Sequence, residues 1–299
     1  MGKNLHLRYL TANEEDQKWG IKVNFVVSQE INPGEVYPPG GHPHRYLFNT
    51  VQGRVLNEYQ LSLITHGSGY FLSKKTKRFG RQRITEGDVF MLFPGEWHTY
   101  APNSDSGWEE ISIGFEGPIM DGFVENGFFT PDTPIISIWS SQEVRSLFDT
   151  AIQIAEKQES GYQQLLAGII IHILGLISFN FKNSPFKDSN VSEKIATAKA
   201  IIATEYKSID GQELARRLNM GYSNFRRLFK NYTGFSPGRY ITEIKLSKAK
   251  ELLTNTDYSV KEISYELGVE NYDYFTTSFR LKTGYTPLEY RAYTKGFSI

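Results

Sequence analysis

Three histidines are the first residues in this chain whose type and spacing could do chemistry. His42 and His44 stand in the phrase HPH, and His98 follows in PGEWHTY. Neutral imidazoles alone can hold zinc, and a metal so held could activate water. The chain has no cysteine, so disulfides and thiolate metal or redox sites are excluded. No Ser-His-Asp phrase or paired-acid phrase stands out elsewhere. A different chemistry is written in WEEISIGFEG at 108–117. Alternation puts Trp108, Glu110 and Ser112 on one face of a strand and Ile111, Ile113 and Phe115 on the other. An aromatic ring, a carboxylate and a hydroxyl facing inward suit a polar ligand, whereas facing outward they are an ordinary solvated surface.

These residues need strands to hold them, and residues 20–116 read as short strands and turns. YQLSLITHGSGYFLS (59–73) is expected to be a hairpin turning at Gly-Ser-Gly. EGDVFMLFPGEWHTY (86–100) reads as a turn, an apolar strand, a Pro-Gly turn and another strand. Several short strands at this spacing predict a sandwich or barrel. After Ser140 the period turns helical, with Val144, Leu147, Phe148, Ala151, Ile152 and Ala155 on one stripe of 141–160. LLAGIIIHILGLISFNF (165–181) has the length of the shortest spanning helices, roughly 17 residues. It contains His172, Ser178 and Asn180 and lacks a strongly basic flank, so a buried core or dimer helix is expected, not a membrane span. The N-terminus lacks the apolar core of a signal peptide, and a cytoplasmic location is expected.

At 299 residues, 39% hydrophobic and 14% aromatic, the chain suits two ordered domains. The proline-broken polar stretch KNSPFKDSNVS suggests boundaries of 1–182, a linker at 183–192, and 193–299. Net charge is zero overall but unevenly spread. From residue 191 onward there are 17 Lys+Arg against 12 Asp+Glu, leaving 16 against 21 before it. The basic part is expected to meet a polyanion. That part reads as all helix, near 193–206, 210–219, 222–232, 237–254, 260–267, 271–282 and 287–294. It also repeats itself: ELARRLNMGYSNFRRLFKNYTGFSP (213–237) parallels EISYELGVENYDYFTTSFRLKTGYTP (262–287). Each copy gives a short helix, a turn, a second helix and a Thr-Gly-aromatic-x-Pro close. That is a helix-turn-helix, whose second helix can enter the major groove. The helix joining the copies spans about 27 Å, close to the roughly 34 Å of one DNA turn.

The phrases LARRLNMGYSNFRRLFKNYTGFSP and VKEISYELGVENYDYFTTSFRLKTGYTPLEYR resemble the DNA-binding domain of the AraC/XylS family of bacterial transcription regulators. The phrase GDVFMLFPGEWHTY, ahead of GWEEISIGFEG, resembles the cupin-like sensor domain of its sugar-responsive members. The resemblance implies an α+β multidomain protein. A cupin-like β-barrel (about 20–117) and helices (about 141–182) would precede an all-α domain with two helix-turn-helix units. It implies a sequence-specific regulator, not an enzyme, with double-stranded promoter DNA as partner. RNA polymerase is a candidate further partner. Ser223, Arg226 and Arg227 fall at base-contacting positions of the first unit, with Asn224 and Lys230 on or near that face. Tyr272, Asp273, Thr276 and Thr277 match them in the second, with Arg280 beyond. Residues 210–235 carry net +3 and residues 260–285 net −1, so the first unit is expected to supply most of the affinity.

For the sensor domain the resemblance implies a small polar ligand, a sugar in the leading case. Tyr100, Glu110 and Ser112 align near ligand-contacting positions. Trp108 is added from its face of the strand, and Arg54, His98 and Trp97 are weaker candidates. The cupin carboxylate soon after the histidine pair is missing, since Phe48 and Asn49 occupy its place. No metal and no cofactor are expected, and His98 reads better as a hydrogen-bonded turn histidine. A metal-dependent cupin enzyme with an accessory helical domain is the alternative, and a sensor that recognises a partner protein is a third reading. Helices 141–182 are expected to form a homodimer surface, with Ile169, Ile173 and Leu176 serving there or covering the barrel. Segment 1–20, by analogy with arabinose-responsive members, would be a regulatory arm.

Overall fold

The computed structural model describes residues 6–39, 49–138, 142–186 and 190–296. The chain divides into two compact units, Met1–Lys182 and Asn183–Ile299. The first runs β1 (His6–Tyr9), α1 (Glu14–Lys18), β2 (Lys22–Ile31), β3 (Tyr59–Ser73), β4 (Gln82–Thr85), β5 (Asp88–Leu92), β6 (His98–Pro102), β7 (Trp108–Glu116), α2 (Pro118–Glu125), β8 (Ile135–Ser137), α3 (Gln142–Lys157) and α4 (Tyr162–Asn183). The strands are antiparallel in the order β1-β2-β7-β3-β5-β8, and β4 and β6 pair with the far end of β3.

Alternation along the strands splits their side chains between two cores. Phe25, Val27, Ile64, Phe71, Phe90, Leu92 and Trp108 fill the inner one. Val23, Leu61, Leu63, Val89, Ile111, Ile113 and Phe115 face the other, which α3 and α4 complete with Val144, Phe148, Ala151, Leu166 and Ile170. Each such side chain taken from water contributes about 1.5–3 kcal/mol, which fixes strand register because a one-residue slip would send every one to the opposite core.

The hairpin expected at 59–73 does not form; the segment is one continuous strand of 15 residues. Its first part pairs with β5 and β7 and its last part with β4 and β6. Gly67 (φ 82°) and Gly69 lie where the strand passes between these partners. A Cβ on Gly67 would stand 2.3 Å from the carbonyl oxygen of Gly107, and one on Gly69 2.3 Å from that of Ala101. Gly-Ser-Gly therefore marks close backbone approach within a bent strand, the other meaning of glycine in a strand pattern.

By length and composition α4 could cross a membrane. Here one face of it packs on the sheet. Ile169 and Ile173 lie in that core and Leu176 packs against it, so these three cover the sheet and do not form an outer surface. The exposed stripe is offset around the helix: Leu165, Gly168, Ile171, His172 and Gly175. At the start of α4, Gln163 is 1% exposed yet satisfied. It accepts from the Val23 N–H and donates to the Val23 carbonyl, both at 2.9 Å. Part of the unpatterned N-terminal stretch is ordered too. Residues 6–9 form β1, and Asn13 and Asp16 close a capping box on α1.

The second unit runs α5 (Val191–Glu205), α6 (Gly211–Arg217), α7 (Tyr222–Thr233), α8 (Pro237–Asn255), α9 (Val260–Glu266), α10 (Tyr272–Thr283) and α11 (Pro287–Thr294). The stretch read as linker is partly structured: a short 3-10 turn ends at Phe186, whose ring packs on Tyr232 at 5.2 Å. Residues 187–189 lie outside the described residues. Two cores follow the two copies of the repeat. Ile195, Ile202, Leu214, Phe225, Phe229 and Ile241 form the first, and Leu253, Val260, Ile263, Leu267, Phe275 and Phe279 the second. The repetition extends to geometry. Phe229 meets Tyr240 and Phe279 meets Tyr290, each edge-on at 5.4 Å and 81°. Thr233 and Thr283 each donate back to the Phe carbonyl four residues earlier. Asp210 and Ser259, residue types that favour helix starts, stand at the N-caps of α6 and α9, and both accept from the first-turn backbone.

Candidate ligand cavity and nucleic-acid interface

The inner face of the sheet in the first unit bounds a narrow pocket of about 30 Å³, space for about two waters. Arg54, Tyr100, Glu110 and Ser112, all expected there, line it. Three other expected residues do not. Trp108 is buried behind it, edge-on to Tyr37 at 5.7 Å. His98 sits behind Arg54, and Trp97 turns away, donating its indole N–H to the Gln52 carbonyl at 2.9 Å. Tyr9, Phe25, Gln29, Tyr37 and Gln60 also line it, beside Val27 and Pro38, and were not singled out from sequence. They come from strands and a loop far apart in the chain. Gln60 and Ser62 did carry a signal, since both alternate with Tyr59, Leu61 and Leu63 and so had to face inward together.

The polar groups form a network with open ends. Arg54 Nη2 donates to the Tyr100 hydroxyl at 2.7 Å. Gln60 Nε2 donates to Ser62 Oγ at 2.8 Å, and Ser62 shares a 2.7 Å hydrogen bond with Ser112. Gln29 Nε2 and the Tyr37 hydroxyl both donate to Glu110 Oε1. Among the described residues, Gln60 Oε1, Glu110 Oε2 and the Trp108 indole nitrogen are buried with no hydrogen-bond partner. A buried polar atom left unsatisfied costs about 1–3 kcal/mol, so such atoms mark where a ligand or water belongs. Burial pushes the Glu110 carboxyl up to about 7, against the opposing hydrogen bonds from Gln29 and Tyr37 and the positive charge of Arg54.

His98 has both ring nitrogens engaged. Nδ1 donates to the Glu96 carbonyl at 2.9 Å, and Nε2 accepts from Arg54 Nε at 3.4 Å. Burial, and then the Arg54 charge, lower its pKa to about 4, so the ring is neutral. It is a hydrogen-bonded histidine at the start of β6, not in a turn, with both ring nitrogens taken by protein partners. His42 and His44 lie outside the described residues, and among those described no three metal-type side chains come together.

In the second unit, α7 carries Ser223, Asn224, Arg226, Arg227 and Lys230 on its exposed surface, with Phe225 and Phe229 buried beneath. Arg227 Nη2 donates to Asn224 Oδ1 at 2.8 Å, which orients its guanidinium. The arginines of α6 are occupied otherwise. Arg216 and Arg217 both bond Glu213, and Arg217 also bonds Glu205 at 2.7 Å. Hydrogen bonds from those two arginines hold the Glu213 carboxyl down to about 2. The charge left for a polyanion in this copy is therefore that of α7. On α10, Tyr272, Asp273, Thr277 and Arg280 are exposed. Thr276 is not equivalent: it is half-buried, and its hydroxyl oxygen is buried without a partner. Of that pair Thr277 is the exposed one.

Comparison with known proteins gives the same division. A model of the AraC-like ligand binding domain matches residues 41–174, and a helix-turn-helix domain model matches residues 214–293. The Msm operon regulatory protein of Streptococcus mutans serotype c is 26% identical over 242 residues, covering 79% of this chain and 85% of that protein. The lactose operon transcription activator of Staphylococcus xylosus is 24% identical over 241 residues, with the same coverage, 79% and 85%. Among solved structures, the C-terminal domain of AraT, a response regulator from Geobacillus stearothermophilus, is 28% identical at a TM-score of 0.34, covering 35% of this chain and 88% of that chain. These relatives are regulators and activators of transcription and not enzymes, so the metal-dependent enzyme alternative falls. The chain belongs to the AraC family of transcription regulators, as a sequence-specific DNA-binding protein with an N-terminal ligand-binding domain.

Proposed function

We propose that this regulator senses a carbohydrate in the inner cavity of its first unit and reads promoter DNA through α7 and α10, as a cytoplasmic homodimer. The observation that carries the sugar is the cavity wall: tyrosine and phenylalanine faces beside Arg54, Gln60 and Glu110, with Gln60 Oε1 and Glu110 Oε2 buried and unsatisfied. A sugar offers an apolar ring face to the aromatics and hydroxyl donors to those two oxygens. A relative named for a lactose operon supports the same class. Binding can alter DNA affinity only through unequal affinity for two states of the protein.

A thermal-shift screen of the full chain against mono- and oligosaccharides tests this. At least one sugar is expected to raise the melting temperature, and Ser112→Val, which removes a cavity hydroxyl, is expected to abolish that shift. No response to any sugar would move the proposal to another ligand class.

For the homodimer, the outer stripe of α4 is the better surface now that Ile169 and Ile173 are accounted for. Leu165 and Ile171 are exposed at 59% and 39%, and a Cβ on Gly168 or Gly175 would meet nothing within 4 Å. A second helix could approach such a stripe closely. The double variant Leu165→Glu, Ile171→Glu is expected to sediment as a monomer at concentrations where the parent sediments as a dimer. A parent that is already monomeric would remove this part of the proposal.

A further inference from the structure

Two DNA-reading units on one chain are useful only if their spacing is controlled. A 19-residue helix, α8, joins them and spans about 28 Å. A rod sets separation, but it does not by itself stop the second unit from turning about the rod. Apolar packing on one side of that joint is incomplete: a cleft of about 490 Å³, lined by Ile241, Leu246, Phe275 and Phe279, lies between α8 and α10.

Polar links stand at the rim of that cleft. Lys245 of α8 donates from Nζ to two carbonyl oxygens, those of Lys207 and Gly268, each at 3.2 Å. Lys207 lies just past the end of α5, the helix that packs in the core of the first copy. Gly268 lies in the turn between α9 and α10, in the second. Both carbonyls stand at helix C-termini, where the backbone carries partial negative charge and a cation is favoured. The two backbones touch there: with φ at +63°, a Cβ on Gly268 would sit 2.2 Å from the Lys207 oxygen. Around this point Lys207 Nζ pairs with Glu266 at 2.8 Å, Lys282 pairs with Glu243 at 2.6 Å, and the Tyr206 ring packs against both cores. Among the described residues no acid pairs with Lys245 itself, and its ammonium donates to the two carbonyls, although partial burial lowers its pKa from the usual lysine value.

We propose that Lys245 is a positioning residue for DNA reading: it clamps the two helix-turn-helix copies together off the axis of α8 and so fixes the spacing and rotation at which α7 and α10 meet the duplex. This rests on the proposal that both copies read DNA.

One base pair inserted between two contacted segments moves the second by about 3.4 Å and rotates it by roughly 35°. A clamped joint cannot follow, whereas a loosened one can. The probe is the duplex enriched by the full-length parent protein from a random-sequence pool, together with versions carrying one base pair more or fewer between the two segments protected in a hydroxyl-radical footprint. The parent is expected to lose at least about tenfold in affinity on either altered duplex, as one lost base contact would cost. Lys245→Met is expected to bind the selected duplex about threefold to tenfold more weakly and to discriminate among the three spacings by less than about threefold. Lys245→Arg, which keeps donors for both carbonyls, is expected to restore the preference. Circular dichroism melts check that both variants remain folded. A Lys245→Met protein that weakens equally on all three duplexes, or keeps the parent's preference, overturns the clamp and leaves two-copy reading intact. A parent footprint with a single protected segment overturns both.

Discussion

Arg226→Ala is expected to weaken binding to the protein's own operator about tenfold to a hundredfold, while Thr276→Ala changes it by less than about threefold. The first figure is the roughly 1–3 kcal/mol that one bidentate arginine contact with guanine is worth. Arg226 is suited to that role because it stands exposed on α7 and forms no ion pair among the described residues, unlike Arg216 and Arg217 on the preceding helix. It is also the less restrained of its pair, since Arg227 is already tied to Asn224. Thr276 has a buried hydroxyl oxygen, so removing it takes nothing from a base edge. Thr277→Ala, at an exposed position of the same helix, should cost more than Thr276→Ala. Gel-shift titrations of the three variants at one fixed salt concentration decide the matter, because phosphate contacts make every affinity salt-dependent. Equal losses for Arg226→Ala and Thr276→Ala would refute the inequality of the two copies.

What could be read from sequence and what could not divides along physical lines. The helical half was legible because each helix carries its own signals within a few residues: Asp210 and Ser259 as caps, Pro237 and Pro287 at first positions, and the Phe225/Phe229 and Phe275/Phe279 pairs at helical spacing. The strand half was legible only in its alternation. That sufficed to put Trp108, Glu110 and Ser112 on one face, but not to say that the face turns inward, as it does. It did not suffice at Gly67 and Gly69, where the reason for glycine is the backbone of Gly107 and Ala101, more than thirty residues away in sequence. The cavity wall failed for the same reason. Tyr9, Gln29 and Tyr37 reach Glu110 and Tyr100 through strand pairing and loop placement, which no local pattern encodes. Thr276 and Thr277 show the limit at its finest: adjacent, identical residues on a helix differ by about 100° in direction, and only packing says which one is sealed off.

Glu110→Gln is expected to stabilise the ligand-free chain at pH 8 by about 1–3 kcal/mol and to change it little at pH 4.5. The carboxyl's folded-state pKa of about 7 lies above the ordinary glutamate value of 4.5. The folded protein therefore holds a proton that the unfolded chain releases. Stability from this group is complete below pH 4.5, falls as pH rises toward 7, and stays low above it, because an ionised carboxylate must then be kept in a buried site. At about 1.4 kcal/mol per pKa unit, the full loss is on the order of 3 kcal/mol, and a neutral amide of the same shape avoids it. Urea unfolding of parent and variant at the two pH values measures the effect. A parent as stable relative to the variant at pH 8 as at pH 4.5 would mean that Glu110 ionises at no cost. The same residue explains why such a cost is tolerated. Oε2 has no partner in the described structure, and a ligand hydroxyl donating to it would favour the carboxylate. Ligand affinity of the parent should then rise with pH up to about 7 and level off, while Glu110→Gln, with an acceptor but no charge, should bind more weakly and without that slope. Stability lost in the empty cavity is in this way recovered only by a molecule that brings a hydrogen-bond donor to one buried oxygen.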